Sequence, residues 1–148
     1  MFYHFKINKE KNGYWAECIE LDGCVTQADT FDDLKNNMEE ALNLYLNEPV
    51  TSKVTSQLPK KNIKGKDIVK VPVNPKIAFA LNLKILRLKN GLTQKEIARM
   101  LGMKNIYSYQ RLESPRNVNP SLSMLTKIKK IFPEFKIDDI FVVHKSHR

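Results

Sequence analysis

The sequence has few of the residues that build metal sites or disulfide frameworks. Its 148 residues include two cysteines and three histidines, and they show neither CxxC nor HExxH spacing, so a bound metal has little support. A pair of cysteines cannot form a disulfide framework in a chain of this length. We therefore expect Cys18 and Cys24 to be small buried side chains, with redox sensing as the alternative, and we expect no metal or other cofactor.

Long apolar runs are missing as well. No stretch approaches the roughly 18 consecutive apolar residues that a membrane-spanning helix needs. The first six residues, MFYHFK, lack the basic, apolar and small-residue regions of a signal peptide. These absences predict a soluble, cytoplasmic protein that has no membrane partner.

Acidic residues are scarce after position 50, and this makes the net charge of +9 uneven along the chain. Residues 1–50 carry four Lys and ten Asp or Glu, which gives a net charge of −6. Residues 51–148 carry 21 Lys or Arg and six acids, which gives +15. Such asymmetry suggests two partners of opposite charge, one of them a polyanion.

The first part of the chain has the pattern of a small antiparallel sheet and a helix. Apolar residues at positions 3, 5 and 7 alternate with polar ones, and the NG and DG pairs at 12–13 and 22–23 are turn signals, which together predict three strands. The alternation turns His4 outward on an edge-like strand, without a partner. Thr30 caps a helix that ends at Pro49 and whose apolar stripe occupies positions 31, 34, 38, 41 or 42, and 45.

The chain divides near residue 73. Residues 49–66 lack an apolar period, which is typical of an irregular connection. Residues 68–73 resume a β pattern, so we expect a fourth strand to return to the sheet and the first domain to span residues 1–73. A second domain, residues 74–148, begins with Asn74-Pro75, a helix cap followed by proline.

The helix that begins at Pro75 carries apolar residues on more than one face. It is predicted to run to residue 90, and Gly91 is placed to terminate it. A small domain rarely needs so much apolar helix surface, so Phe79, Leu83 and Leu86 are candidates for a dimerisation contact with a second subunit. A monomer core that uses the same residues accounts for the pattern almost as well.

Residues 92–131 hold the most specific pattern of the chain. Thr93 and Glu96 predict a capping box for a first short helix, and Gly102 permits a left-handed turn that leads to a second short helix. The strings LTQKEIA at 92–98, LGM at 101–103, LE at 112–113 and NPSL at 119–122 resemble the Cro/repressor-type helix-turn-helix family. One residue more than usual lies between Gly102 and Glu113, which blurs the start of the recognition helix.

The helix-turn-helix resemblance implies DNA binding through the second short helix, which fits the major groove. In that family the glutamine that opens the first short helix holds a backbone phosphate, and Gln94 occupies this position. Arg111 is a candidate for a bidentate bond to guanine, and Ile106 or Tyr107 for contact with a thymine methyl. The candidate DNA-binding residues are Gln94, Lys104, Asn105, Ile106, Tyr107, Ser108, Gln110, Arg111, Arg116, Asn117 and Asn119.

The acidic first domain resembles the HicB antitoxin family. The likeness rests on GYWAEC at 13–18, LDGCVTQADT at 21–30, FDDL at 31–34 and ALNLYL at 41–46, in the family's order of strands, turn and helix. It implies an α+β chain, in which a partial ribonuclease-H-like β-β-β-α-β domain precedes an all-α helix-turn-helix domain. Ala28 stands where the family usually has glycine, a departure at the exit of the third strand.

The same resemblance implies an antitoxin of a type II toxin–antitoxin system. The first domain would bind and neutralise a small, basic, mRNA-cleaving toxin of the HicA type. The second domain would dimerise and bind operator DNA, repressing the operon that encodes both proteins. The −6 charge independently suits a basic partner. Candidate toxin-binding residues are Trp15, Glu17, Glu20 and Asp22.

Two other functions fit parts of the sequence. Glu17, Glu20, Asp22 and Asp29 are carboxylates of the type that hold Mg²⁺ in nucleases, but the strand pattern does not bring them together, so we predict no enzymatic activity. The rival function is a one-component transcription regulator whose first domain senses a small molecule. A ligand pocket usually needs spare concave apolar surface, whereas here the core stripes use the apolar positions.

Overall fold

Four strands form one antiparallel sheet in this computed structural model, which describes residues 1–47 and 56–141. The three predicted strands and the returning fourth strand are confirmed. The fourth strand pairs with the first, so the first strand is central in the sheet and the edge position suggested by its sequence is wrong. In chain order the strands are β1 (Phe2–Glu10), β2 (Gly13–Cys18), β3 (Val25–Ala28) and β4 (Ile68–Pro72). Across the sheet their order is β3-β2-β1-β4.

The start of β2 depends on the missing side chain of Gly13. Its φ is +155°, and a Cβ atom at this position would lie 2.8 Å from the carbonyl oxygen of Ala28 on β3. A larger residue would push the two strands apart, because the group it meets is backbone and cannot rotate away. The glycine of the NG pair therefore serves the packing of β2 against β3 as well as the turn.

Helix α1 (Phe31–Leu46) follows β3 and packs against the sheet. Thr30 Oγ1 accepts a hydrogen bond from the backbone N–H of Asp33 at 3.1 Å, so the predicted cap is confirmed. Phe31 and Tyr45 are exposed, so the predicted apolar stripe is wrong at both ends. The predicted end at Pro49 lies outside the described residues. The buried residues of α1, spaced by four, are Leu34, Met38, Leu42 and Leu46.

His4 departs most from the sequence pattern of the sheet. The alternation predicted an outward side chain without a partner, but His4 is buried and its Nδ1 lies 2.8 Å from Glu20 Oε2. The segment that follows residue 56 lies against this part of the sheet. Tyr3 Oη donates to the carbonyl of Gln57 at 2.6 Å, and the backbone N–H of Lys60 donates to Glu20 at 3.1 Å. This irregular segment therefore supplies contacts that strand alternation alone cannot anticipate.

The described residues separate into two compact units. The first contains Met1–Asn47 and Ser56–Asn74, with residue 141, and the second is Pro75–Ile140. Residues 56–66 of the predicted irregular connection contain no helix or strand, and its residues 49–55 lie outside the described part of the chain. The first unit is the sheet with α1, and the second is built from helices, so the chain is α+β as predicted.

The second unit contains four helices and two short 3-10 helices. Gly91, after the first of these helices, has a φ of +66°, the left-handed conformation expected of a glycine that ends a helix. The most buried side chains of the unit include Leu83, Ile97, Tyr109 and Ile128. In chain order the elements are α2 (Pro75–Lys89), α3 (Gln94–Met100), α4 (Ile106–Gln110), the 3-10 helix Arg111–Glu113, α5 (Leu122–Ile131) and the 3-10 helix Ile137–Asp139.

The apolar residues of α2 are used within the single chain. Phe79 and Leu83 are 6% and 0% exposed, and the Phe79 ring packs edge-on against Phe135 with centroids 5.4 Å apart. Leu86 is half-buried. The expectation that α2 presents Phe79 and Leu83 to a second subunit is therefore wrong, and the alternative of a monomer core accounts for both residues.

Candidate nucleic-acid and protein-partner surfaces

Side-chain caps define the starts of α3 and α4. Thr93 Oγ1 accepts a hydrogen bond from the Glu96 N–H at 3.1 Å and donates to the Glu96 carboxylate, also at 3.1 Å. Gly102, with a φ of +72°, follows α3. Asn105 Oδ1 then accepts hydrogen bonds from the N–H and the hydroxyl of Ser108, at 3.0 and 3.2 Å. Asn105 is therefore the cap of α4, which fixes the start that the sequence left blurred.

A buried ion pair ties α2 to the 3-10 helix that follows α4. Arg87 Nε and Nη2 donate to the Glu113 carboxylate at 2.6 and 3.0 Å, and Arg87 Nη1 donates to the Leu92 carbonyl at 3.0 Å. Burial opposes the charge of the guanidinium, but the hydrogen bonds and charge of Glu113 raise the pKa of Arg87, so it stays protonated. Sequence reasoning missed this pair. The sequence signal that could have indicated it is Arg87 itself, a charged residue within the apolar pattern of α2.

Tyr109 on α4 is fully buried, although Tyr107 and Ser108 just before it in the chain are exposed. Burial, reinforced by the charge of Glu113, raises the pKa of Tyr109 well above its usual range, so the phenol stays neutral. The predicted inward orientation of Tyr109 is confirmed. Its ring therefore anchors the inner side of α4 and leaves the outer side to other residues.

Gln94, the predicted phosphate ligand, makes hydrogen bonds inside the chain. Gln110 Nε2 on α4 donates to Gln94 Oε1 at 3.0 Å, and Gln94 Nε2 lies 3.5 Å from Glu113 Oε1. The second contact is at the limit of hydrogen-bond length and is weak. These bonds join the start of α3 to α4, so Gln94 also helps to set the position of α4.

The outer side of α4 is open. Tyr107 is 73% exposed, and Ser108 is exposed beside it. Arg111 is exposed too, and it lies four residues after Tyr107 and three after Ser108, a spacing that places it on the same side as both. Lys104, just before the helix, is exposed, whereas Ile106 and Gln110 are half-buried. The three candidate residues of the following loop, Arg116, Asn117 and Asn119, are exposed. Asn117 Nδ2 donates a hydrogen bond to the Ser114 hydroxyl at 3.2 Å.

The second unit is strongly basic. Residues 75–140 contain 13 Lys or Arg and five Asp or Glu, which gives a net charge of +8. Of these charges, Arg87 and Glu113 neutralise each other in the interior. Lys84 is buried as well. The other 11 Lys and Arg side chains of residues 75–140 are exposed, and their positive charge attracts polyanions.

In the first unit, Trp15 and Glu17 lie on the sheet face opposite to the buried side chains of β2. Ala16 and Cys18 alternate with them and are buried. Trp15 is half-buried and Glu17 exposed, and β3 places the exposed residues Gln27 and Val25 beside them. Asp22, in the turn after β2, is exposed too. Three of the four candidate toxin-binding residues are therefore accessible.

Glu20, the fourth candidate, is not accessible. Its side chain is 0% exposed. Besides the bond with the His4 ring, Glu20 Oε1 accepts a hydrogen bond from the His4 backbone N–H at 2.9 Å, and the Cys18 thiol lies 3.8 Å away. This carboxylate joins β1, β2 and the segment at Lys60, so the expectation that Glu20 contacts a partner is wrong for the folded chain.

The two cysteines are buried and free, so the prediction of small buried side chains is confirmed. Cys18 is the last residue of β2, and Cys24 directly precedes β3. The two backbones pair there, because the Cys18 N–H donates to the Cys24 carbonyl at 2.8 Å. The hydrogen bond with the Cys24 thiol and burial raise the pKa of Cys18 beyond its usual range, so its thiol stays protonated.

A polar cleft that sequence reasoning missed lies between the β1–β2 turn, β3 and the first turns of α1. Its volume is about 470 Å³. Among the described residues, no three His, Cys, Asp or Glu side chains come together in a way that could hold a metal ion. The cleft is lined by Glu10, Asn12, Gly13, Tyr14, Gln27, Ala28, Asp29, Asp33 and Asn37.

Comparison with known proteins gives two relatives for part of the chain. A UPF0150 protein of Helicobacter pylori is 38% identical over 48 residues, which are 32% of this chain and 67% of that protein. A UPF0150 protein of Synechocystis sp. is 40% identical over 47 residues, 30% of this chain and 60% of that protein. No protein-family model matches the chain. Within residues 1–47 and 56–141, every helix is too short or too polar to cross a membrane.

Proposed function

The chain belongs to the UPF0150 family, and we propose that it is a HicB-type antitoxin. Its first unit binds and neutralises a small, basic, mRNA-cleaving toxin of the HicA type. Its second unit binds operator DNA and represses the operon that encodes both proteins. UPF0150 is the HicB-like family, and this membership supports the antitoxin half. The chain itself catalyses no reaction, and it acts in the cytoplasm as a homodimer or higher oligomer.

The order of elements in the first unit supports a partial ribonuclease-H-like fold. Strands β1, β2 and β3 precede α1, and β4 follows it, which is the β-β-β-α-β order expected for HicB-type proteins. The open sheet face around Trp15 and Glu17, with Asp22 nearby, is the surface that we assign to the toxin. The −6 charge of residues 1–50 favours a basic partner, because complementary fields speed association and select partners.

The exposure pattern of α4 is the observation that carries the DNA-binding half. Tyr107, Ser108 and Arg111 share an open face, while Tyr109 anchors the opposite side in the core. A short helix held from behind, with polar and aromatic side chains outward, suits entry into the major groove. We infer that α3, the turn at Gly102 and α4 form a helix-turn-helix unit, and the +8 charge of residues 75–140 supports phosphate binding.

Each exposed residue then has a specific role. Arg111 makes the bidentate contact to guanine that a guanidinium fork allows, and Tyr107 contacts a thymine methyl. Lys104 and Arg116 neutralise phosphates on either side of the groove. Gln94 binds a phosphate through its Nε2 donors, whose contact with Glu113 Oε1 at 3.5 Å is weak, while its Oε1 keeps the hydrogen bond from Gln110.

Arg111→Ala in the full-length chain tests the DNA-binding half. We expect weaker binding to DNA from upstream of the operon by roughly 1–3 kcal/mol, with relaxed specificity at one base pair, because a direct base contact is lost. Lys136→Ala, which removes an exposed cation that follows α5, is the matched control and should retain specificity. Fluorescence anisotropy at fixed salt measures the affinity of each variant for the operator and for operators with single base-pair changes. Equal affinity and specificity in wild type and Arg111→Ala would exclude this surface.

Glu17→Lys in the same chain tests the toxin-binding half. The reversed charge should weaken binding to the small basic protein encoded beside this gene by at least about tenfold, because like charges then face each other. Glu40→Lys, the same reversal at an exposed position of α1, is the control and should bind normally. An RNA-cleavage assay with the neighbouring gene product measures protection. If no such protein co-purifies with the wild-type chain, the small-molecule sensor becomes the better explanation.

A further inference from the structure

The two cysteines of the chain are neighbours across the sheet. The register of β2 and β3 places Glu17 opposite Val25, so the adjoining residues Cys18 and Cys24 lie opposite each other. The Cys18 N–H donates to the Cys24 carbonyl at 2.8 Å. Opposite residues of a hydrogen-bonded pair have Cα atoms about 5.5 Å apart, which lies inside the range of about 4.4–6.8 Å found in disulfides. The backbone therefore holds the spacing that a bond between the two sulfurs needs.

A hydrogen bond joins the two thiols, with the Cys18 S–H as its donor. This bond lowers the pKa of Cys24, and burial opposes the effect. Cys24 is therefore the member of the pair that ionises first, while Cys18 keeps its proton. The thiolate is the form of cysteine that attacks an oxidant, so the pair combines a nucleophile with a second thiol in contact with it.

The pair lies beside a turn that is open to solvent. Cys18 and Cys24 are 6% and 3% exposed, but Asp22 and Gly23 next to them in the chain are exposed. No other part of the described chain packs within 4 Å of the position that a Cβ atom of Gly23 would take. An oxidant as small as hydrogen peroxide therefore reaches the sulfurs after a slight opening of this turn.

We propose that Cys18 and Cys24 form a thiol switch, which hydrogen peroxide closes into a disulfide. Cys24 Sγ attacks one peroxide oxygen, the O–O bond breaks, and the departing hydroxide takes up the proton that the Cys24 thiol released. Cys18 Sγ then bonds to Cys24 Sγ and displaces the oxygen of the sulfenic acid, which leaves as water with the Cys18 proton. Two thiols and one peroxide thus give one disulfide and two waters. The switch goes beyond the proposed toxin and DNA binding and depends on neither.

Closing the switch fixes the turn between β2 and β3. This turn carries Glu20, which binds the backbone of Lys60 at 3.1 Å, and the Asp22 carbonyl, which accepts a hydrogen bond from Tyr45 Oη at 2.9 Å. A covalent link that closes the loop of residues 18–24 removes conformational freedom from the unfolded chain. The oxidised first unit is therefore harder to unfold than the reduced one.

Mass spectrometry of the full-length chain, before and after treatment with hydrogen peroxide, tests the chemistry. In the treated wild type, a peptide map should join Cys18 to Cys24 with the loss of two hydrogens, and dithiothreitol should reverse this. Cys18→Ser and Cys24→Ser are the matched controls, because each keeps one sulfur and cannot form the bond. If both cysteines stay open to alkylation at a dose that oxidises the exposed Met100, or if they link two chains, the switch is refuted.

Urea unfolding, followed by the fluorescence of Trp15, provides the second arm. The unfolding equilibrium constant of the oxidised wild type should be roughly 50-fold lower than that of the reduced chain, the entropic effect of closing a loop of this length. Peroxide should leave the urea midpoints of the two serine variants unchanged. Equal midpoints for oxidised and reduced wild type would overturn the stabilising effect. Neither measurement involves toxin or DNA, so failure of the proposed function would leave the switch standing.

Discussion

A single buried carboxylate organises much of the first unit. Glu20 accepts hydrogen bonds from the ring and the backbone of His4 and from the backbone of Lys60, with the Cys18 thiol close by. A buried charge is tolerated only when several donors surround it, because water no longer solvates it. Its neighbour Glu17, three residues earlier, is exposed and makes none of these contacts. Two glutamates of one short segment thus have different roles.

Glu20→Ala should destabilise the first unit by about 3 kcal/mol, because it leaves the buried donors around the carboxylate without their acceptor. Glu17→Ala is the matched control and should change the free energy of unfolding by less than about 0.5 kcal/mol. Urea unfolding can be followed by the fluorescence of Trp15, which is the one tryptophan of the chain and lies on β2. Equal midpoints for the two variants would contradict a structural role for Glu20.

At the scale of elements, α4 is short and depends on contacts at both ends. Asn105 caps its first turn, and the Arg87–Glu113 pair holds the 3-10 helix that continues it. A five-residue helix has little stability of its own, since helix nucleation is unfavourable. The position of the proposed recognition helix is therefore set by its cap and by its packing.

Asn105 substitutions separate capping from DNA contact. Asn105→Ala should lower the free energy of unfolding by about 1 kcal/mol, because the N–H of Ser108 loses its acceptor. Asn105→Asp keeps the cap, so its stability should stay close to wild type, while the added negative charge weakens operator binding next to the phosphates. Circular dichroism during thermal unfolding and anisotropy with operator DNA measure the two effects. An Asn105→Ala variant as stable as wild type would refute the capping role.

At the scale of the whole molecule, the chain divides into a sheet unit and a helical unit after residue 74. The sheet unit is closed by β4, which pairs with β1, and by a hydrogen bond from the Val73 N–H to the Met1 carbonyl at 3.0 Å. All strands of the sheet therefore lie within residues 1–74. The helices of the second unit begin at Pro75.

A fragment of residues 1–74 should fold and protect RNA from the toxin, and it should lose operator binding. A fragment of residues 1–66 is the control, since it lacks β4 and leaves the edge of β1 without its partner strand. The control should show little β signal in circular dichroism and no protection. If protection requires residues beyond 74, the division of labour between the two units is wrong.

The sequence by itself determined the local features, because they depend on neighbours along the chain. The caps at Thr30 and Thr93 and the alternation of β2 follow from hydrogen bonds and geometry within a few residues. The same local patterns predicted the α+β class and the exposure of Tyr107. Sequence patterns could also suggest a family, because family likeness is carried by spacing along the chain.

The tertiary structure alone decided which side chains meet across the chain. The bond between Lys60 and Glu20 joins positions 40 residues apart, and the pair of Arg87 and Glu113 joins positions 26 apart. His4 is buried where the irregular segment near Lys60 lies against the sheet. Leu122 is exposed because no other described segment covers this end of α5. Local spacing cannot specify either outcome, because burial is a property of packing between distant segments.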